Sequence, residues 1–151
     1  AVYIGGTGAD TITGGEGDDT ITGGEGDDTL TGGTGSDIFD YNAIVDSPIT
    51  GGDTITDFAV TEDKLDLKDI LDTSTNGVIT DEVSLAKYVT AEADSGIATN
   101  VKLYIKHDGD GTAATSTNAD MVINLTVADA TAQTALITAL NDGALSEYIL
   151  A

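Results

Sequence analysis

The 151-residue chain contains no cysteine, no arginine and no tryptophan, and it has a single proline. Without cysteine there is neither a disulfide framework nor a thiolate metal site. Bases are also scarce, because five lysines oppose 27 acidic residues and give a formal net charge of −22. This charge repels nucleic acid and anionic membrane surfaces, so we expect neither as a partner. With only 5% aromatic residues the core is small. A small core in a chain with this much negative charge needs cations to offset the repulsion.

Long apolar runs and catalytic motifs are absent as well. No stretch approaches the roughly 20 apolar residues of a membrane-spanning helix, so we expect no membrane insertion. The sequence contains no H-E-x-x-H, no G-x-S-x-G and no phosphate-binding G-K-S/T motif. The single histidine, His107, has no partners for a zinc site. We therefore expect no catalysis from this chain.

Glycine, in contrast, is abundant and periodic. Residues 5–40 form four consecutive nine-residue units of the pattern G-G-x-G-x-D-x-U-x, in which U is a large apolar residue, and all 20 specified positions are met. The U residues are Ile12, Ile21, Leu30 and Phe39, and Tyr3 keeps the same phase upstream. The composition alone would also suit a disordered Gly/Asp-rich linker. Strict ninefold phase over four copies favours a repeated structure instead.

Each unit predicts a six-residue turn followed by a three-residue strand, which is too short to persist unless neighbouring units stack. Two consecutive units make one coil, which places Asp10 over Asp28 and Asp19 over Asp37. Stacked carboxylates repel each other unless a cation lies between them. Carboxylate and carbonyl oxygens at flexible geometry suit Ca²⁺ better than Mg²⁺ or the transition metals. We therefore predict several bound calcium ions, and disorder in their absence.

The candidate ligands are the repeat carboxylates and the bare carbonyls of the glycine turns. The carboxylates are those of Asp10, Asp18, Asp19, Asp27, Asp28 and Asp37. The carbonyls are those of Gly6, Gly8, Gly15, Gly17, Gly24, Gly26, Gly33 and Gly35. A shortened repeat at residues 51–56 adds Asp53, with Ile55 in the U role. Because this repeat lacks three residues, two interpretations stay open: a closing turn with Asp53 as a ligand, or an ordinary strand start.

A weaker candidate site lies at residues 107–111, where Asp108 and Asp110 alternate with glycine. This resembles the start of a calcium-binding loop, but the Glu that closes an EF-hand is missing. A plain β-turn is the alternative interpretation.

The remainder of the chain predicts a cap with both strands and helices. Alternating apolar residues predict strands near residues 64–68, 87–93, 100–107, 121–127 and 146–151. Helices are predicted over residues 81–87 and 129–141, the second with an apolar stripe of Ala132, Ala135, Leu136, Ala139 and Leu140. The predicted fold is mainly β: a parallel β-roll over residues 1–56, followed by an α+β capping region over residues 57–151.

The four units resemble the repeats-in-toxin (RTX) nonapeptide, whose parallel β-roll binds calcium in bacterial proteins exported by type I secretion systems. The segments G-G-D-T-I-T-D-F at 51–58 and E-D-K-L-D-L at 62–67 are similar to the junction that follows the repeats in large RTX adhesins. The resemblance implies an extracellular or cell-surface location, and export without an N-terminal signal peptide by the type I machinery. It also implies an uncleaved secretion signal in the last residues.

Three functions follow as hypotheses. The first is the calcium-folded export end of a large adhesin whose ligand binds elsewhere in the parent chain. The second is the calcium-dependent folding and secretion domain of an RTX protease or lipase. The third is a module that binds sugar or ice, because Thr11, Thr20 and Thr29 recur at nine-residue spacing. Threonines are also ordinary residues of strands.

Overall fold

The computed structural model describes residues 1–71, 88–94, 97–106, 114–142 and 149–150. The strands are β1 (Val2–Thr7), β2 (Thr11–Glu16), β3 (Thr20–Glu25), β4 (Thr29–Thr34), β5 (Ile38–Asp40), β6 (Asp53–Ile55), β7 (Lys64–Asp66), β8 (Val89–Ala93), β9 (Asn100–Ile105), β10 (Met121–Thr126) and β11 (Ile149–Leu150). A 3-10 helix (Ile44–Asp46) precedes β6, and helix α1 (Ala130–Asp142) follows β10. No helix among the described residues is long and apolar enough to cross a membrane.

Successive strands of the repeats alternate between two sheets. One sheet has the order β1-β3-β5-β7-β11, and the other has the order β2-β4-β6-β10-β9-β8. Strands one coil apart pair in parallel, so that Tyr3 lies beside Ile21 and Ile12 lies beside Leu30. Each repeat strand thus pairs with the strand two units further along the chain, which confirms the predicted parallel β-roll.

The U residues form the apolar interior between the sheets. Ile21, Leu30 and Phe39 are fully buried. Burying one such side chain contributes about 1.5–3 kcal/mol, whereas ordering the backbone costs roughly 1–2 kcal/mol per residue. One buried side chain per nine-residue unit therefore cannot hold the roll together, and other interactions must contribute.

The shortened repeat adds a further coil. Leu30 pairs with Ile55, which lies further along the chain than the two-unit spacing of the repeats would place it, and Ile55 is fully buried. The extra residues lie in the loop before β6. Ser47 anchors this loop, because its hydroxyl accepts the Asp53 N–H at 2.7 Å and donates to the Val122 carbonyl at 2.6 Å. The stack does not end here, since β7 pairs with β5 and places Leu65 beside Phe39.

The capping region continues the same two sheets. Strand β10 pairs in parallel with β6, and the antiparallel strands β9 and β8 follow it. Strand β11 pairs with β7 in the other sheet. Both sheets therefore continue across the boundary predicted after residue 56, since β6 pairs with β10 in one sheet and β5 pairs with β7 in the other.

Helix α1 confirms the predicted helix but not its whole apolar stripe. Asp129 caps its start by accepting the N–H groups of Thr131 and Ala132, both at 2.8 Å. Leu136 and Leu140 are buried as predicted, but Ala135 is exposed. Gln133 is buried in its place, and its amide donates to the Asn100 carbonyl at 2.7 Å. This hydrogen bond turns a polar residue toward the sheet, which an apolar pattern does not reveal.

Some predictions lie outside the described residues. These are the helix over residues 81–87, the loop with His107, Asp108 and Asp110, and all but residues 149–150 of the final strand.

Candidate metal centre

The glycine turns stack with their backbones in contact. Residues 23–28 lie over residues 5–10, and residues 32–37 lie over residues 14–19, one coil below. Gly33 has φ +104°, and a Cβ atom built on it would collide with the Gly15 carbonyl oxygen. Gly15 has a similar φ of +116°, but open space surrounds the position of its Cβ. At Gly33 a side chain is therefore excluded twice, by conformation and by the neighbouring turn.

These two glycines make a matched test of turn stacking. We expect Gly15→Ala to lower the free energy of unfolding by about 1–3 kcal/mol, the cost of a backbone conformation that suits only glycine. Gly33→Ala should cost roughly 1–3 kcal/mol more, because its methyl group also pushes two turns apart. Urea unfolding in saturating calcium measures both. Equal losses for the two variants would contradict close stacking of the turns.

The repeat aspartates join one coil to the next through one carboxylate oxygen. The Asp10 N–H donates to Asp28 Oδ1 at 2.8 Å, and the Asp19 N–H donates to Asp37 Oδ1 at 2.9 Å. The Asp28 N–H donates to Asp53 Oδ1 at 2.8 Å in the same way. Asp53 thus occupies the position of a repeat aspartate in spite of the three missing residues.

The second oxygen of these carboxylates is buried without a partner. Asp19, Asp28, Asp37 and Asp53 are at most 3% exposed, and their Oδ2 atoms have no hydrogen-bond donor in good geometry among the described residues, although the buried Tyr41 hydroxyl interacts with the Asp53 carboxylate. Leaving an ionised oxygen buried and unpaired is costly, so it calls for a cation. The residues present therefore fit a metal ion.

Backbone carbonyls lie beside these oxygens. A Cβ atom on Gly14 would lie 2.5 Å from Asp19 Oδ2 and 2.6 Å from the Gly32 carbonyl oxygen, which belongs to the next coil. Asp10 Oδ2 and the Gly23 carbonyl flank Gly5 in the same manner. All these donors are oxygens, which hard cations such as Ca²⁺ prefer. The described residues include no group of three or more His, Cys, Asp or Glu side chains that could hold a metal, so carbonyls must complete any coordination shell.

Four of the eight predicted glycine carbonyls also lie between stacked turns, and the other four, those of Gly24, Gly26, Gly33 and Gly35, stay predictions. The carbonyls of Gly6, Gly8, Gly15 and Gly17 each face the glycine one coil above, which is Gly24, Gly26, Gly33 and Gly35 respectively. The carbonyls of Gly23 and Gly32, each the first glycine of its unit, were not among the predicted ligands. The repeat pattern itself could have identified them, because this glycine is specified in every unit.

Asp18 and Asp27 are placed differently from the other predicted ligands. Both are exposed at the rim of their turns. Asp18 Oδ1 accepts the Ser36 N–H at 2.9 Å, and Asp27 Oδ1 accepts the Gly52 N–H at 3.1 Å. Both carboxylates thus join one coil to the next through backbone groups, and their role as ligands stays a prediction.

Burial raises the pKa of three of the buried carboxyl groups, those of Asp28, Asp37 and Asp53. Burial, together with the charge of Asp28, raises the pKa of Asp53 to about 7, while the Asp28 N–H and the Tyr41 hydroxyl oppose the shift. Burial also raises the pKa values of Asp28 and Asp37, and the charges of Asp10 and Asp19 add to the two shifts. Without a cation these three carboxyl groups therefore hold a proton more tightly than an exposed aspartate does.

This shift gives the calcium affinity a definite pH dependence. The metal-free fold keeps Asp53 protonated, whereas an unfolded Asp has a pKa near 3.9, so the metal-free fold loses stability as the pH rises from about 4 to about 7. At about pH 6, where Asp53 of the metal-free fold is still largely protonated, calcium binding to the folded chain must release that proton, whereas an unfolded chain has none to release because its Asp53 is already ionised. We expect the calcium affinity to rise up to about pH 7, and the calorimetric heat at about pH 6 to depend on the ionisation enthalpy of the buffer. Asp53→Asn should remove most of this dependence. Equal heats in all buffers would contradict the prediction.

Comparisons with known proteins agree with this geometry. Residues 4–39 match the family model of the RTX calcium-binding nonapeptide repeat, in four copies. No curated protein matches the chain. Among solved structures, the chain is similar to the AlgE6R3 subunit of a mannuronan C5-epimerase from Azotobacter vinelandii, determined in solution, with a TM-score of 0.57 and 21% identity over 99% of this chain and 78% of that chain. At this identity the likeness concerns the fold alone.

The sequence resemblance to RTX nonapeptides is confirmed, while the resemblance to the C-terminal domains of adhesins stays a prediction. The repeats are a calcium-binding structural module and not a catalytic one. The chain thus carries four RTX calcium-binding nonapeptide repeats, folded as a parallel β-roll.

Proposed function

We propose that this chain is a calcium-folded export module, which forms the C-terminal end of a large adhesin secreted by a type I system. The observation that carries the proposal is the set of buried Oδ2 atoms at Asp19, Asp28, Asp37 and Asp53, for which the described part of the chain offers no hydrogen-bond donor in good geometry. We assign the cation that they require as calcium, held by these carboxylates, by Asp10 and by the glycine carbonyls of the adjacent turns.

The charge of the chain makes folding depend on the compartment. Residues 5–40 contain seven Asp and two Glu but no base, so the carboxylates repel each other and keep the chain extended in calcium-poor cytosol. An extended chain suits passage through a narrow secretion channel. Outside the cell, where extracellular calcium modules bind with dissociation constants of about 10⁻⁴–10⁻³ M, calcium supplies positive charge between the turns. The aspartates then accept hydrogen bonds from the coil below, and the U residues are buried.

Export is tested separately from folding. We expect deletion of residues 129–151 to abolish secretion by a type I system, because the secretion signal is proposed to lie in the final residues. A chain with Gly33→Ala, which alters the roll but keeps that end, should still be exported. Undiminished secretion of the truncated chain would refute the export role while leaving calcium binding intact.

A second candidate function is the folding and secretion module of an exported enzyme. The supporting observation is the fold, which is similar to that of a subunit from a C5-epimerase. The segment that precedes the repeats in the parent protein distinguishes the two candidates: tandem adhesin repeats favour the first, and a catalytic domain favours the second.

A further inference from the structure

Hydrogen bonds between coils arrange the repeat aspartates in two columns, Asp10–Asp28–Asp53 and Asp19–Asp37. Another buried carboxylate, that of Asp63, continues the second column but differs from the others. Asp63 is 3% exposed and lies one coil beyond Asp37, whose N–H donates to Asp63 Oδ1 at 3.0 Å. In Asp37 the Oδ2 atom has no hydrogen-bond partner among the residues that the structure describes, whereas in Asp63 it accepts the Ala59 N–H at 2.8 Å. Both oxygens of Asp63 are therefore satisfied by the protein, and the need for a cation does not arise.

The turn before Asp63 also lacks the glycines that shape the stacked turns of the repeats. Residues 57–63 contain no glycine, and among the described residues only glycines have positive φ. Instead of a glycine bend the segment forms a helical turn, in which the N–H groups of Glu62 and Asp63 donate to the Ala59 carbonyl at 3.0 and 2.8 Å. That carbonyl is directed to the backbone of its own turn.

Asp57 closes the neighbouring glycine turn from the same side. Its Oδ1 accepts the Gly32 N–H and its Oδ2 accepts the Gly33 N–H, both at 2.9 Å. The outer face of the turn over residues 32–37 is thus covered by carboxylate-to-backbone hydrogen bonds, where an inner turn would be covered by another glycine turn.

We infer that Asp63 and Asp57 end the Asp19–Asp37 column of calcium sites without a metal ion, whereas the Asp10–Asp28 column ends at a site that includes Asp53. This inference rests on the proposed binding of calcium between stacked turns. The two columns then differ at the junction with the cap: among the described residues no backbone N–H reaches Asp53 Oδ2, and the Tyr41 hydroxyl lies beside that carboxylate, whereas Asp63 Oδ2 accepts the Ala59 N–H. The Asp19–Asp37 column is thus joined to the cap by the hydrogen bonds of Asp57 and Asp63, which do not depend on calcium.

Native mass spectrometry of the full chain in calcium tests the inference by counting bound ions. Asp63→Asn should bind as many ions as the unsubstituted chain, although its melting temperature falls because the amide cannot accept both hydrogen bonds. Asp53→Asn, the matched variant in the other column, should bind one ion fewer. Loss of an ion from Asp63→Asn would overturn the inference. An unsubstituted chain that binds no calcium at all would instead refute the proposed function.

A measurement on the unsubstituted chain keeps the inference testable if Asp63→Asn does not fold. In the calcium-saturated protein, NMR should detect the coupling across the hydrogen bond between the Ala59 nitrogen and the Asp63 carboxylate carbon. If the coupling is absent and calcium shifts the Asp63 carboxylate signal, Asp63 is a ligand and the inference is wrong.

Discussion

Removal of calcium with a chelator at neutral pH is expected to abolish most of the β-sheet circular dichroism of the roll. Each nine-residue unit buries at most one U side chain, worth about 1.5–3 kcal/mol, against an ordering cost of roughly 1–2 kcal/mol per residue. At neutral pH the inner carboxylates add their repulsion and the cost of their unpartnered oxygens. Hydrogen exchange should locate the change, with the amides of β1–β5 losing their protection.

Two controls separate calcium binding from simple charge screening. Re-addition of calcium should restore the spectrum, whereas an equal concentration of magnesium should not, because magnesium demands near-octahedral geometry. Sodium chloride at the same ionic strength should restore little, since buried charges are screened weakly. A chain that keeps its spectrum and its amide protection in chelator would contradict the account.

Replacement of Asp28 by asparagine is expected to weaken calcium binding by at least about tenfold, because a proposed ligand of the ion loses its charge. Asparagine can keep the Oδ1 acceptor for the Asp10 N–H, so the effect falls on the buried Oδ2 position. A calorimetric calcium titration measures the affinity, and the melting temperature in fixed calcium should fall in parallel.

Asp40→Asn is the matched control for this substitution. Asp40 belongs to the same roll, but its carboxylate is half-buried and accepts the Thr22 hydroxyl at 3.1 Å. Its removal takes away the same formal charge without touching the turn oxygens. Equal losses of calcium affinity in Asp28→Asn and Asp40→Asn would mean that overall charge, and not a specific site, governs binding.

The sequence predicts the roll well because its physics is local and periodic. Once each unit is nine residues long, the pairing of Asp10 with Asp28 follows from the coil length alone, and the structure reproduces it. The position of Asp53 did not follow, because its longer separation from Asp28 depends on how Ser47 fixes the preceding loop.

Asp63 was missed for a related reason. It lies well beyond the two-unit spacing from Asp37, in a segment without glycine, so neither spacing nor composition marks it as part of the column. Its position is set by the Ala59 N–H and by β7, which are features of the folded chain. Gln133 in helix α1 is a similar case, since a hydrogen bond to a distant carbonyl decides its burial.

The most direct test is the anomalous X-ray scattering of crystals grown in calcium. The account predicts calcium peaks between the turns at 5–10 and 23–28, and between those at 14–19 and 32–37, with carboxylate and carbonyl oxygens at about 2.3–2.6 Å. Well-ordered turns with no calcium peak between them, or with Asp28 and Asp37 directed into solvent, would contradict it.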